Sequence, residues 1–242
     1  MAAAGIVCGL LFVFFAARRR KLDAENAVFM YTFGFIGAGV GAKILYIIVS
    51  MGQLISDLQT YGFLKTLAAY TQGGMVFYGG LLGSIVAAFI TAHALREDIK
   101  KFYPALVPGI AILAGFGRIG CYLAGCCYGA LTDSHLFVVY PEGCDAPAGV
   151  HLVPVQLYEA IFEGLAVIAL VIIANTIPKL VPHLLTLYCA SYAVFRFVLE
   201  FWRADDVRGI WGPFSTSQWI SIAILIYLLI KYLRELRLKM LK

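Results

Sequence analysis

Long apolar stretches separated by short polar breaks make up almost the whole of this 242-residue chain. Runs at about 3–17, 27–50, 73–95, 103–125, 155–177, 183–202 and 216–233 approach or exceed the roughly 20 apolar residues a membrane-crossing helix needs, and they predict seven spans. The first run is short, but the basic cluster Arg18–Lys21 follows it instead of preceding it, the reverse of a cleaved signal peptide, so it is read as a span. The breaks between runs are short except at about 52–72 and 126–153. The pattern predicts an all-α membrane protein forming a single integral membrane domain over 1–242, with only small outer-face loops.

Charge gives the orientation. Thirteen of the 19 Lys and Arg residues (Arg18, Arg19, Arg20, Lys21, Arg96, Lys100, Lys101, Lys179, Lys231, Arg234, Arg237, Lys239 and Lys242) fall on one side of this seven-span arrangement. Basic residues near span ends stay cytoplasmic, so the N-terminus is expected outside, the C-terminus in the cytoplasm, and both long loops on the outer face. Composition agrees, with 62% hydrophobic and only 14% charged residues against roughly 25% charged in soluble domains. The net charge of +5 is spread over cytoplasmic loops beside an anionic leaflet, which gives no reason to expect nucleic-acid binding.

Several polar groups nevertheless sit inside the runs. In "PVQLYEAIFEG" Gln156, Glu159 and Glu163 follow at spacings of three and four, one face of a helix. In "YAVFRFVLEFWR" Tyr192, Arg196, Glu200 and Arg203 follow at four, four and three. A charge near a bilayer centre costs at least about 2.5–3.5 kcal/mol on insertion scales, so each needs a partner or a wet cavity. One reading is adhesion, with Arg196 pairing Glu200 and Glu159 pairing Arg118. The other is a site, since two guanidinium forks beside carboxylates suit a lipid phosphate.

The stretch "GFGRIGCYLAGCCYG" admits two readings. Its G-x-G-x-x-G from Gly115 to Gly120 matches a dinucleotide-binding turn, but no strand precedes it, "CCYGALTDSH" breaks any following helix, and the acid near the right distance, Glu142, ends no strand. Glycines in a membrane run serve close helix approach or a polar lining, and "GGMVFYGGLLG" repeats that density.

Taken in order, "GGMVFYGGLLG", "GRIG", "PVQLYEAIFEG" and "YAVFRFVLEFWRADD" resemble the prolipoprotein diacylglyceryl transferase family of bacterial inner-membrane enzymes, from about residue 5 to the last span. The resemblance implies seven spans with the N-terminus outside and a multi-pass location in the bacterial inner (cytoplasmic) membrane. It also implies transfer of a diacylglyceryl group from phosphatidylglycerol, or a related anionic phospholipid, to the cysteine thiol of a lipoprotein precursor presented by its signal peptide. No cofactor and no metal are implied. Arg118 matches the signature arginine and Arg196 the essential arginine of the sixth span; Glu159, Tyr192, Glu200 and Arg203 also fall on family positions. Gly79, Gly80, Gly117, Gly120 and Gln156 complete the expected substrate-binding set.

The departures are specific. Tyr78 stands where the family has a histidine proposed as the base, Cys121 and Ala124 stand at two asparagines, and Cys126 stands at a glutamate. Tyr78 or Glu159 is then the candidate base. Cys121, Cys126 and Cys127 are candidate site residues with four open readings: a relay nucleophile, a disulfide with Cys144, simple packing, or a metal site, for which C-x₄-C-C lacks finger spacing. Cys8 and Cys189 lie in apolar runs and carry no expected role. The alternatives to the main function are a transferase of the same fold with another acceptor, or a non-catalytic lipid or solute carrier.

Overall fold

The computed structural model describes residues 1–72, 77–204 and 210–240, apart from the side chains of 49, 72, 77, 78, 210, 211, 236 and 238–240. Gly73, Gly74 and Arg208, and the side chain of Tyr78, lie outside what is described. The helices run α1 (Ala2–Arg19), α2 (Ala24–Val49), α3 (Met51–Tyr61), α4 (Phe63–Gln72), α5 (Phe77–Ala94), α6 (Ile99–Ala124), α7 (Val155–Thr176), α8 (Leu184–Leu199) and α9 (Thr216–Met240). A two-stranded antiparallel hairpin, β1 (Ile210–Trp211) and β2 (Phe214–Ser215), precedes α9 and pairs Trp211 with Phe214.

Among the described residues, six helical segments are long and apolar enough to cross a membrane: Ala2–Arg19, Ala24–Ile48, Ile99–Ala124, Val155–Thr176, Pro178–Trp202 and Thr216–Glu235. Within the third expected run, 73–95, the described residues hold only a shorter apolar helix, Gly79–Ala94, which is not among the six. The pattern of burial is inverted relative to a soluble helix. In α7 Gln156, Glu159 and Glu163 are buried, while Ile161, Leu165, Ile168 and Ile172 on another face are each more than half exposed. That arrangement is stable where the surroundings are hydrocarbon.

The chain divides into two compact units, Phe12–Leu106 and Met1–Leu11 with Val107–Lys242. In the first, Asp23 caps α2 by accepting from the Glu25 and Asn26 amides at 2.9 and 3.1 Å. The close pair is α2 with α5. A Cβ on Gly79 would strike the Gly41 carbonyl and one on Gly83 the Gly37 carbonyl, so only glycine permits this backbone approach. The 52–72 stretch, expected as a loop, is helical instead. Gly62, at φ 77°, separates α3 from α4, and Asp57 draws them together, its carbonyl accepting from Thr66 Oγ1 and its carboxylate from the Tyr70 hydroxyl. Each helix is short and amphipathic, and neither carries the uninterrupted apolar run from which spans are recognised.

In the second unit, the segment between α6 and α7 is a pinned cap. Val138 and Leu152 exchange both backbone hydrogen bonds, Ala130 donates to Trp202 O at 2.8 Å, and Val153 donates to Ala130 O at 2.9 Å. Its small core holds Tyr140, Ala146 and Leu152, packed by Tyr122, Tyr128 and Val138. At the end of β2, Ser215 forms a reciprocal capping box with Gln218: Gln218 N donates to Ser215 Oγ and Ser215 N to Gln218 Oε1. The box fixes the start of α9 and the position of Ser217.

Candidate active site

The centre of the second unit is Glu159, 2% exposed, on the inward face of α7. Three donors converge on it from two other helices. Arg118 of α6 places Nη2 2.9 Å from Oε1. The Tyr192 hydroxyl of α8 donates to the same Oε1 at 2.7 Å, and Arg196, one turn further along α8, donates from Nη1 to Oε2 at 3.4 Å. Arg196 then reaches Glu200 Oε2 with Nη2 at 2.8 Å and Ser217 Oγ of α9 at 3.5 Å. A lone carboxylate buried this deeply would cost several kcal/mol, and the convergence of two guanidiniums and a phenol offsets that cost.

The spacings explain the geometry. Tyr192 and Arg196 are four apart, so they stack on one stripe of α8, and Glu200 follows four later in the 3₁₀ turn Glu200–Trp202. Arg118 emerges from α6 beside Gly117, where an added Cβ would meet nothing, and Gly115, where a Cβ would come within 3.3 Å of Glu163 Cβ. Gly115 therefore lets α6 approach α7. Arg118 keeps 20% of its side chain exposed against 3% for Glu159. Arg118 is thus the least enclosed side chain in these ion pairs.

Two neighbouring groups extend the site along α7. Glu163 Oε2 accepts from the Tyr188 hydroxyl at 2.9 Å. Gln156, 1% exposed, donates from Nε2 to the Cys126 carbonyl at 2.8 Å and to the Tyr140 hydroxyl at 3.3 Å. Burial pushes the Tyr140 phenol up to about 12 and also pushes the Cys126 thiol up. A thiol held protonated is a weak nucleophile.

The helix carrying Arg118 stops at a Schellman motif. Gly125, at φ 69°, donates to Tyr122 O at 3.3 Å, and Cys126 N donates to Cys121 O at 3.2 Å. Cys127 is again left-handed, at φ 57°, and the reversal returns two cysteines to the end of the helix. The sulfurs of Cys121, Cys126 and Cys127 consequently all lie within 4.8 Å of one another. No disulfide forms among the described residues, although Cys144 borders the turn, with its Sγ 3.0 Å from where a Gly125 Cβ would stand.

The structure therefore joins Arg118, Glu159, Tyr192, Arg196 and Glu200 in one network and gathers the three cysteines in a second group, linked to α7 through Gln156. The pairings expected for simple adhesion, Arg118 with Glu159 and Arg196 with Glu200, are both present. Arg203, 9% exposed, lies just beyond, in a bridge with Gly129. At Gly120 an added Cβ would come within 3.3 Å of Met1 Cβ. Gly79 serves helix packing, and at Gly80 a Cβ would come within 3.3 Å of Ala38 O. Sequence reasoning missed Tyr188, Ser217 and Tyr140. Only Tyr188 carried a signal, being four residues before Tyr192 on the same stripe.

Residues 1–234 match the family model described as prolipoprotein diacylglyceryl transferase. The chain is 34% identical over 226 residues to the phosphatidylglycerol–prolipoprotein diacylglyceryl transferase of Clostridium tetani, covering 93% of this chain and 87% of that protein. It is 35% identical over 231 residues to phosphatidylglycerol–prolipoprotein diacylglyceryl transferase 2 of Clostridium perfringens, covering 93% and 85%. With a match this long and an arginine–carboxylate network built from the very motifs that carry the resemblance, the chain belongs to the prolipoprotein diacylglyceryl transferase family.

Proposed function

We propose that this chain moves the diacylglyceryl group of phosphatidylglycerol, or a related anionic phospholipid, onto the thiol of a lipoprotein-precursor cysteine at the bacterial cytoplasmic membrane. The observation that carries the reading is the convergence of Arg118, Arg196 and Tyr192 on Glu159, with Arg118 still partly open. In the reaction the acceptor sulfur attacks the glycerol carbon that bears the phosphate ester. The carbon–oxygen bond breaks, and glycerol phosphate departs with the bonding pair. Negative charge grows on the phosphate, where Arg118 and Arg196 stabilise it.

Both oxygens of Glu159 are engaged by cations, so we assign it the positioning of the two arginines and not removal of the acceptor proton. Gln156, Glu200 and Arg203 shape the surroundings of the same site. Tyr78, at the position of the family's histidine, is the remaining candidate base, and Tyr78→Phe tests it by a loss of turnover without a loss of lipid binding.

For topology we propose seven spans, with Gly79–Ala94 as the third, the N-terminus outside and the C-terminus cytoplasmic. The charge asymmetry supports this orientation. A cysteine introduced at Ser134 is then labelled from outside intact cells by an impermeant maleimide; labelling only after lysis reverses the orientation.

The function itself is tested with purified full-length protein, labelled phosphatidylglycerol and a peptide carrying a lipoprotein-type cysteine. A diacylglyceryl mass gain on the peptide is expected. Lipid that binds but is never transferred would make the chain a carrier, and transfer to another thiol alone would make it a transferase with a changed acceptor.

A further inference from the structure

Three thiols within 4.8 Å of one another, drawn from both sides of a helix end, make a ligand set that the transfer chemistry does not use. We propose that Cys121, Cys126 and Cys127 form an all-sulfur site for a soft metal ion, monovalent copper foremost.

The distances suit an ion directly. With metal–sulfur bonds of about 2.3 Å, trigonal coordination sets the sulfurs about 4 Å apart. From an upper separation of 4.8 Å, each sulfur needs to move inward by less than about half an ångström to reach that geometry. The backbone already holds this arrangement. The Schellman turn at Gly125 folds Cys126 back over Cys121, and Gln156, itself almost fully buried, fixes the Cys126 carbonyl at 2.8 Å. Cys127 occupies left-handed space at φ 57° without being glycine, and such strain persists only where the surroundings over-determine it.

The choice of metal follows from the donors. Three sulfurs with no carboxylate or imidazole in the group select a thiophilic ion over magnesium, calcium or manganese. A structural zinc takes four ligands in a tetrahedron, which here would require a fourth group; monovalent copper is satisfied by the three thiolates already together. Binding releases whatever protons the thiols carry, since only thiolate ligates. The inference does not rest on the transferase reading, because it uses neither lipid nor the arginine network.

The test uses the full chain in detergent under reducing, anaerobic conditions, titrated with copper(I) against a coloured copper(I) chelator. One equivalent per chain is expected to leave the chelator for the protein. Each of Cys121→Ser, Cys126→Ser and Cys127→Ser should weaken binding by more than the roughly 10–100-fold that loss of an outer-shell partner costs. Cys189→Ser and Cys144→Ser should leave one equivalent bound. Since a substituted turn can disturb folding, the unaltered protein is also alkylated with and without copper(I), and the peptides are weighed. Protection confined to Cys121, Cys126 and Cys127 supports the site. Equal protection of Cys8 and Cys189, binding that survives loss of both Cys126 and Cys127, or a loss in Cys144→Ser as large as in Cys126→Ser would overturn it.

Discussion

Two helix contacts in this protein solve the same problem in opposite ways. The α2–α5 pair associates through Gly37, Gly41, Gly79 and Gly83, backbone against backbone. The α6–α7–α8 group instead binds Arg118, Arg196, Glu159 and Tyr192 into a buried ionic network. In hydrocarbon, small residues give close van der Waals packing with no charge to desolvate. The glycine pair shows that this chain can join membrane helices without charge, so adhesion alone does not account for two arginines on one carboxylate. The anion-binding role proposed for the two guanidiniums is what would distinguish the network from adhesion.

The strongest way to break this contrast is at Glu159. Glu159→Gln leaves Arg118 without its ion-pair partner and Arg196 with Glu200 alone, and removing one partner of a buried ion pair costs about 3–5 kcal/mol. Thermal unfolding in detergent should fall sharply, and turnover should be lost with it. If the variant melts within a few degrees of the parent, the network is not what holds these helices.

Next in size, Arg118→Ala, which leaves Arg196 on Glu159, should keep much of the fold, and Arg196→Ala, which also strips Glu200 of its ion pair, should melt lower; both should reduce transfer by roughly 10²–10³-fold, the usual cost of removing one preorganised donor to a developing oxyanion. Lysine at either position should rescue incompletely, since it lacks the planar fork. Measured kcat with labelled phosphatidylglycerol decides, and full activity in either alanine variant would reduce the network to adhesion after all.

How far the sequence revealed this contrast depended on how local the determinants are. Spacings of three and four placed Gln156, Glu159 and Glu163 on one face, and Tyr192, Arg196 and Glu200 on another, because helix periodicity needs only neighbours in the chain. Both ion pairs could be anticipated from the cost of burying charge. The α3–α4 pair could not, as its contacts run from Asp57 to Thr66 and Tyr70 around a glycine that looked like loop. Nor could the cysteine cluster. C-x₄-C-C matches no metal spacing, and the sulfurs meet only because Gly125 and Cys127 both turn left-handed. The roles of Tyr140 and Ser217 depend on segments far away in sequence, for which periodicity carries no signal.

A smaller effect is expected on the glycine side. Gly83→Leu puts a branched side chain where even a Cβ meets the Gly37 carbonyl, and overpacking of this kind costs about 1–3 kcal/mol. The melting temperature should drop while kcat per folded molecule holds. A selective loss of kcat at unchanged stability would give this contact a part in the chemistry and remove the distinction between the two regions.

The smallest effect sharpens the comparison within a single helix. Glu163 lies four residues from Glu159 on the same face of α7, equally buried, but the hydrogen bond it accepts comes from a neutral phenol, Tyr188, at 2.9 Å. A glutamine carbonyl accepts that bond as well as a carboxylate oxygen does, and its amide fits nearly the same volume. Glu163→Gln should therefore change stability by no more than about 1 kcal/mol, the net worth of an ordinary hydrogen bond, and leave kcat within about twofold. Glu159→Gln, the same chemical change one turn away, should be far more damaging because it strips a charge that two guanidiniums share. Measured side by side for melting temperature and turnover, the two variants separate a carboxylate that serves as an acceptor from one that serves as a charge. Equal damage from both would mean that Glu163 carries charge in the working site as well, and that the anionic centre extends along the whole buried face of α7.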